Sequence, residues 1–164
     1  MTSLYSLFWL IVAVVAQVLL FNHLQLFGGV ILVYVIALLK LPVEMNRNIQ
    51  IIIGFICGLI IDIFSNTLGM HTMTAVTMMW LRMPILHLFI NAEDVKIGVP
   101  GNSLLGMPSY IRFALTQIAV HCFLLYFIES FSLNNIFVTL SKALISLIIT
   151  FVATLSIEFT TLKK

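Results

Sequence analysis

Apolar residues form long runs that alternate with short polar links along the whole chain. The runs are Leu4–Phe21, Val30–Leu41, Ile49–Phe64, one that begins near Met70, Tyr110–Ile128 and Ile136–Phe159. A membrane-crossing helix needs roughly 20 predominantly apolar residues. The pattern therefore predicts an all-α membrane protein in which six transmembrane helices form a single bundle over residues 1–164. The second and third runs are short for full crossings, so one of them could be tilted, buried or re-entrant.

The fourth predicted helix contains a proline near its end. Pro84 lacks an N–H and its ring clashes with the carbonyl four residues earlier, so we expect it to break or end the helix. Residues Ile85–Ile90 would then form a tail or an interfacial segment. The polar stretch Asn91–Ser109 follows as the longest link between predicted helices.

The composition excludes several classes of protein. Charged residues make up only 9% of the chain and apolar residues 62%. A soluble domain carries about 25% charged residues, because its surface faces water. So few charges exclude a soluble enzyme and a disordered chain, and a net charge of +2 is too small for binding to nucleic acid. We therefore expect a multi-pass integral membrane protein.

Basic residues indicate how the bundle is oriented. Cytoplasmic links of membrane proteins carry an excess of Lys and Arg. The links predicted at one end of the bundle, together with the C-terminus, hold Lys40, Arg47, Lys96, Lys163 and Lys164. The opposite links, residues 22–29, 65–69 and 129–135, hold no Lys or Arg. Both termini are therefore predicted to be cytoplasmic.

Two charges lie inside apolar runs and need a partner. A charged side chain at the centre of a membrane helix costs roughly 2.5–3.5 kcal/mol on insertion scales. Asp62 lies in the last outer turn of predicted helix 3, and Lys142 lies about two turns below the outer surface on predicted helix 6. A contact between them, direct or through water, is one hypothesis that accounts for both.

Four further charges lie closer to helix ends. Arg82 and Arg112 are expected to extend to lipid headgroups at the cytoplasmic surface, because a long side chain can bury its stem and solvate its charge. Glu129 and Glu158 are expected to be solvated caps.

Small and polar residues recur at helical spacing on predicted helices 3 and 6. Gly54, Gly58 and Asp62 share one face of helix 3, which favours close packing against helix 4 after the turn at residues 65–69. The hydroxyl groups on helix 6 could bond to their own helix or face a polar interior, and the sequence favours neither. That stripe consists of Lys142, Ser146, Thr150, Thr154 and Glu158.

No arrangement of residues indicates catalysis. The chain contains no HExxH zinc motif, no GxSxG nucleophile elbow and no phosphate-binding P-loop. Gln117 and His121 lie one turn apart on predicted helix 5, and we expect an interhelical hydrogen bond there rather than catalysis. No metal and no cofactor is expected.

The segment from Gly54 to His71 resembles the signature of a known family. It reads GFICGLIIDIFSNTLGMH, and the MreD family of bacterial rod-shape-determining membrane proteins has a pattern of approximately GFxxGxxxDxxSxxxLG. In this chain two residues, instead of three, separate Ser65 from Leu68-Gly69. Gln17, the chain length and the basic C-terminal end add to the likeness. Residues 81–84 and 127–131 look most like the Bacteroidetes branch, whereas Gly28-Gly29 departs from a proline that many members have. The matching residues are Gly54, Phe55, Gly58, Asp62, Ser65, Leu68 and Gly69.

The resemblance implies a non-enzymatic scaffold of the cell-elongation machinery in the bacterial cytoplasmic (inner) membrane, which links peptidoglycan synthesis to cell shape. Its direct partner would be the transmembrane helix of MreC. MreB, RodA and a class-B penicillin-binding transpeptidase would be indirect partners, and lipid would surround the bundle. The family fold is similar to the six-helix S-components of energy-coupling-factor transporters. The structural or partner-binding motif would comprise Gly54, Phe55, Gly58, Asp62, Ser65 and Gly69.

A small-molecule-binding subunit of a transporter, similar to an S-component, is the alternative. Its ligand would occupy an outward-facing pocket among polar residues on several predicted helices. A polar groove of this kind could also complete the docking site for a partner helix. The candidate groove residues are Gln17, His71, Gln117, His121 and Lys142.

Overall fold

The protein is a bundle of helices, as the apolar runs predict. The computed structural model describes residues 2–26, 28–90, 98–130 and 135–162. A 3₁₀ turn at Phe21–His23 and the two short antiparallel strands β1 (Gln25–Leu26) and β2 (Gly29–Val30) connect the first two helices. The helices within the described ranges are α1 (Thr2–Leu19), α2 (Val33–Leu39), α3 (Arg47–Ser65), α4 (Met70–Phe89), α5 (Asn102–Leu105), α6 (Met107–Ser130) and α7 (Ile136–Leu162).

Three of these helices have the length and apolar character needed to cross a membrane. They contain the segments Arg47–Ser65, Met107–Ser130 and Ile136–Thr160. The 20 residues of α4 would extend about 30 Å, which is also the thickness of a bilayer core. That helix is more polar, because Thr74 and Arg82 lie on its buried face. These lengths support the multi-pass membrane character that the composition predicts.

The expectation that Pro84 ends the fourth helix is wrong. Helix α4 continues through this proline to Phe89. A proline leaves the carbonyl four residues earlier without its usual partner, and here that carbonyl belongs to Trp80. Arg47 of α3 donates from Nη2 to the Trp80 carbonyl at 2.9 Å, and its guanidinium lies 5.5 Å from the Trp80 ring centroid. A long-range contact therefore satisfies the group that the proline exposes.

The second apolar run is only partly helical. Helix α2 has seven residues, or about 10 Å, and the residues before it are extended. The segment 28–40 runs alongside α7 in the same direction, since the Cα of Gly28 faces the Lys142 side chain and Lys40 pairs with Glu158. Along α7, Glu158 lies 16 positions after Lys142, a rise of about 24 Å. The extended first half and the helical second half of the segment 28–40 therefore together run along most of the height of the bundle.

Side chains of neighbouring helices satisfy the extended half of this segment. The Val30 N–H donates to Ser146 Oγ at 2.7 Å and to Tyr126 Oη at 3.2 Å. The Leu32 N–H donates to Thr150 Oγ1 at 3.1 Å. Buried N–H groups outside a helix or sheet need partners of this kind. The polar-interior alternative for the α7 stripe is therefore correct at Ser146 and Thr150.

Other parts of the stripe and of the entry to α2 complete this packing. Thr154 bonds within its own helix, donating to the Thr150 carbonyl at 2.7 Å. Gly29 allows the extended segment to approach α7, because a Cβ there would lie 2.7 Å from Ile145 Cγ2 and 3.0 Å from the Ser146 nitrogen. Helix α2 then lies in the centre of the core, where Tyr34, Val35, Leu38 and Leu39 are fully buried.

Two charged residues expected near solvent are buried instead. Arg82 is 0% exposed and donates to Gln50 Oε1 at 2.7 Å, to the carbonyl of Leu39 at 3.5 Å and to that of Leu41, so it holds the C-terminal end of α2. Glu158 pairs with Lys40 and accepts from the Asn102 N–H at 2.6 Å. The expected headgroup contact of Arg82 and the expected solvation of Glu158 are therefore wrong, whereas Arg112 and Glu129 are exposed as expected.

Contacts between links group them at two ends of the bundle. At one end, Asn22 Nδ2 donates to Ser65 Oγ at 2.5 Å, which joins the link after α1 to the end of α3. At the other end, the Val43 N–H donates to the Gly98 carbonyl at 2.9 Å. We call the first the outer end and the second, which also contains the Lys40–Glu158 pair, the inner end.

Removing the Thr150 hydroxyl from α7 should destabilise the fold, because the buried Leu32 N–H would lose its acceptor. We expect Thr150→Val to lower the free energy of unfolding by about 1–3 kcal/mol, the cost of an unsatisfied buried donor. Ser141→Ala is the matched control, because Ser141 is exposed and bonds only to its own helix at Phe137. Detergent-solubilised protein unfolded with SDS would give both values. Equal stability of the two variants would contradict the role of Thr150.

Candidate functional site

The segment that resembles the MreD signature, Gly54 to His71, lies in the hairpin of α3 and α4. Asn66 ends α3 in the left-handed conformation with a φ of 55°, and Gly69 precedes α4 with a φ of 75°. Both residue types tolerate positive φ, which a tight helix–helix turn requires. The two helices then pack along their whole length, so the predicted close hairpin is confirmed.

Glycines on α3 allow this close packing. A Cβ on Gly58 would lie 2.4 Å from Thr72 Cα and 2.7 Å from the His71 carbonyl oxygen. At Gly54 a Cβ would meet Met79 Cγ at 2.8 Å and the Ala75 carbonyl oxygen at 3.1 Å. The helix backbones therefore touch at Gly58, and no larger residue fits there without moving one of the helices.

Asp62 joins the end of α3 to the beginning of α4. Its Oδ1 accepts from Thr67 Oγ1 at 2.5 Å and from the His71 N–H at 3.0 Å. Its Oδ2 accepts from the Thr72 N–H at 2.8 Å and from Thr72 Oγ1 at 2.6 Å. The first N–H groups of a helix lack partners within the helix, and a carboxylate there also interacts favourably with the helix dipole. Gly69 offers no capping side chain, so Asp62 caps α4 from the preceding helix.

The hypothesis that Asp62 pairs with Lys142 is not supported by the geometry. All four hydrogen bonds of the Asp62 carboxylate go to residues 67–72. Lys142 Nζ lies 3.4 Å from Glu129 Oε1 instead, at the outer end of α6 and α7. The N-terminus of α4 therefore compensates the charge of the buried Asp62, and Lys142 pairs with the exposed Glu129.

Of the remaining signature residues, Ser65 is partly buried, and Phe55 and Leu68 are exposed. Ser65 accepts the hydrogen bond from Asn22 and so ties the hairpin to the link after α1. Phe55 is 47% exposed on the outer face of α3, and Leu68 at the tip of the turn is fully exposed. Leu68 therefore packs against nothing in the described residues, and about half of the Phe55 surface is left uncovered.

A buried polar cluster lies behind the hairpin. Tyr34 Oη is 2.6 Å from His121 Nε2 and 3.1 Å from His71 Nδ1, so this hydroxyl joins α2, α6 and α4. Both imidazole rings meet the Tyr34 ring edge to face, with centroids 5.4 and 5.9 Å apart. The hydrogen bond expected for His121 is therefore present. The sequence gives no signal for Tyr34, which lies in an otherwise apolar run.

The five candidate groove residues do not form one groove. Gln17 Oε1 accepts from the Val33 N–H at 2.7 Å, at the start of α2. His71 and His121 belong to the cluster around Tyr34. Gln117 is fully buried, and neither its amide oxygen nor its amide nitrogen has a partner among the described residues, contrary to the expected interhelical bond. Lys142 lines a separate pocket of about 260 Å³ between the ends of α6 and α7.

The described residues contain no group of three His, Cys, Asp or Glu side chains that could hold a metal ion. Cys57 and Cys122 are buried free thiols.

Comparison with known proteins identifies no relative, since no family model, no curated protein and no solved structure matches the chain. Membership of the MreD family therefore stays a prediction from the signature.

Substituting the contact glycine should destabilise the hairpin more than substituting its neighbour. We expect Gly58→Ala to lower the free energy of unfolding by about 1–3 kcal/mol, because the new methyl meets backbone atoms. Gly54→Ala should cost less, since the Met79 side chain can move. SDS unfolding of both variants measures the difference. A larger loss for Gly54→Ala would contradict the close approach at Gly58.

Removing the charge of Asp62 should also destabilise the hairpin. We expect Asp62→Asn to lower the free energy of unfolding by about 1.5–3 kcal/mol, the range for hydrogen bonds to a charged group. The amide nitrogen of Asn would also face N–H donors of α4. Thr67→Val, which removes one of the four bonds, should cost about 0.5–1.5 kcal/mol. An Asp62→Asn variant as stable as the unchanged protein would exclude the capping role.

Proposed function

We propose that this protein is a non-enzymatic membrane scaffold of the MreD family that docks the transmembrane helix of MreC. The observation that carries the proposal is that the residues matching the signature fall into two groups, one that packs the hairpin and one that stays exposed. Gly54, Gly58 and Asp62 build a rigid hairpin, whereas Phe55 and Leu68 match the signature and remain exposed. Two exposed apolar residues are suited to contact with a partner.

The physics of helix association in lipid supports a preformed docking surface. Lipid tails are as apolar as leucine, so helices associate in membranes through close packing rather than through the hydrophobic effect. Packing of this kind requires a surface that does not rearrange. The backbone contact at Gly58 and the carboxylate cap of Asp62 hold the hairpin in one conformation. Phe55 then projects from a fixed helix.

Polar faces of α6 and α7 do not contribute to the proposed docking surface. Ser146 and Thr150 are buried and bond to the extended segment before α2. His121 is buried against Tyr34. The docking surface is therefore apolar and centred on the α3–α4 hairpin, instead of a polar groove on the later helices.

The proposed topology has six crossings with both termini in the cytoplasm of a bacterium. In this arrangement α1, the segment 28–40, α3, α4, α6 and α7 each traverse the inner membrane. The grouping of the links at two ends and the basic residues of the inner end support it. Such a bundle is similar in helix number to an S-component. MreB, RodA and a class-B penicillin-binding transpeptidase would be reached indirectly through MreC.

A small-molecule-binding transporter subunit is the second candidate function. The pocket of about 260 Å³ at the outer end favours it, because charged and polar residues line that pocket: Tyr126, Glu129, Ser130, Asn135, Thr139 and Lys142. A ligand of this pocket would stabilise the folded protein in the absence of MreC. Docking of MreC through Phe55 would be independent of such a ligand.

Co-purification with MreC tests the scaffold proposal. We expect Phe55→Ala and Leu68→Ala each to reduce the amount of MreC recovered with the tagged protein from membranes by about tenfold or more, a loss typical of an interface anchor. Because Leu68 is fully exposed, the unfolding free energy of Leu68→Ala should change little, and Phe55→Ala, at a residue that is 47% exposed, should cost less than loss of a buried Phe. Western blots of MreC, normalised to the tagged protein, give the readout.

Phe64→Ala is the matched control for this experiment. Phe64 lies on the same helix, is 70% exposed and is nine residues from Phe55, which places it about half a turn around the helix. This variant should retain MreC. Equal recovery of MreC with Phe55→Ala and Phe64→Ala would contradict the proposed surface. Gly58→Leu would be a poor probe of docking, because it disrupts the hairpin itself.

A further inference from the structure

We propose that Tyr34, His71 and His121 form a proton-binding latch that holds α2 in the core at neutral pH and releases it in acid. We call these three residues the latch. It joins three helices through a single hydroxyl, at 2.6 Å from His121 Nε2 and 3.1 Å from His71 Nδ1. The function proposed above does not require the latch, and the latch does not depend on MreC.

The hydrogen-bonding capacity of the latch fits two neutral histidines. A tyrosine hydroxyl donates one proton and accepts others, and a neutral imidazole has one donor and one acceptor nitrogen. Tyr34 therefore donates to one histidine and accepts from the other. Whichever direction it takes, both short contacts are satisfied with no net charge in the cluster. This state is suited to a site where Tyr34 and His121 are fully buried.

An added proton on His121 disturbs this arrangement, whether the Tyr34 hydroxyl donates to His121 or to His71. If Tyr34 donates to His121, a proton on Nε2 of that histidine removes the acceptor and breaks the bond. If Tyr34 donates to His71, the added proton on His121 goes to Nδ1, which is buried without a partner among the residues described. A buried charge without a counter-ion is costly. Protonation is therefore better accommodated when the latch is open.

The groups that face His121 offer no such counter-ion. On α4, Thr74 Oγ1 lies 3.5 Å from His121 Nε2 and donates to backbone carbonyls. On α3, Cys57 is a buried thiol. Asp62 accepts from the backbone N–H of His71, so its negative charge lies on the His71 side of the latch and not beside His121. On α6, the neighbours are Gln117 and Cys122, which are uncharged at neutral pH.

The position of the latch gives protons a route from the outer end of the bundle. It also determines which end of α2 loosens when the latch opens. His71 lies in the first turn of α4, beside the outer-end turn, and is 9% exposed, so a proton can enter from that side. Tyr34 lies at the second position of α2. Opening the latch leaves this end of α2 held only by the bonds of Gln17 and Thr150 to its first N–H groups, while Arg82 still holds its C-terminal end. The segment before α2 should loosen first.

Hydrogen exchange of residues 30–40 at several pH values tests the latch. The purified protein in detergent micelles would be measured by mass spectrometry between pH 8 and pH 5, with correction for the intrinsic pH dependence of exchange. Free histidine titrates near pH 6.5. Below that pH we expect opening to increase by up to about tenfold per pH unit for each proton taken up. Corrected exchange that does not change with pH would overturn the proposal.

Three variants assign the effect to the latch. His121→Gln should abolish most of the pH dependence, whereas His87→Gln should retain it, because His87 is exposed on the same helix as His71. Tyr34→Phe keeps the ring and removes the hydroxyl, so exchange in residues 30–40 should be fast already at pH 8. The proposal fails if His121→Gln keeps the pH profile of the unchanged protein, or if Tyr34→Phe is protected to the same extent at pH 8.

Discussion

Backbone N–H groups buried in the membrane interior must find partners within the protein, and this constraint shapes the centre of the bundle. The residues before α2 are extended, so they cannot use helical hydrogen bonds. Ser146, Thr150 and Gln17 supply the missing acceptors from α7 and α1. Two residues of the polar stripe of α7, Ser146 and Thr150, therefore hold the extended segment. Helix α2 is placed at the core by these bonds at its beginning and by Arg82 at its end.

The same kind of constraint explains the hairpin of α3 and α4. Its turn is tight because Gly58 brings two backbones into contact, and a tight turn leaves the first N–H groups of α4 close to the end of α3. Asp62 fills that position and satisfies two of them. An acid in an apolar run is thus a capping residue, and its charge is balanced by a helix N-terminus. Rigidity at this place leaves Phe55 and Leu68 on a fixed outer surface.

Sequence reasoning succeeded where the signal is local and missed contacts between distant residues. The spacing of Gly54, Gly58 and Asp62 predicts a close hairpin, because four-residue spacing depends only on helix geometry. It could not predict that α4 continues past Pro84, since the compensating donor, Arg47, is 33 residues from Trp80. The stripe on α7 was evident, but its partners at Val30 and Leu32 are more than 100 residues away. Burial of Arg82 and Glu158 likewise depends on partners that only the fold reveals.

The most direct test of this account is the exchange rate of three individual amide protons in the intact protein. Nuclear magnetic resonance of the 15N-labelled protein in lipid nanodiscs can resolve the amides of Val30, Leu32 and Val33. If side-chain acceptors hold the extended segment inside the bundle, these amides exchange as slowly as those in the middle of α7. Exchange as fast as that of the exposed turn at Leu68 would contradict the account, because it would place the segment in water.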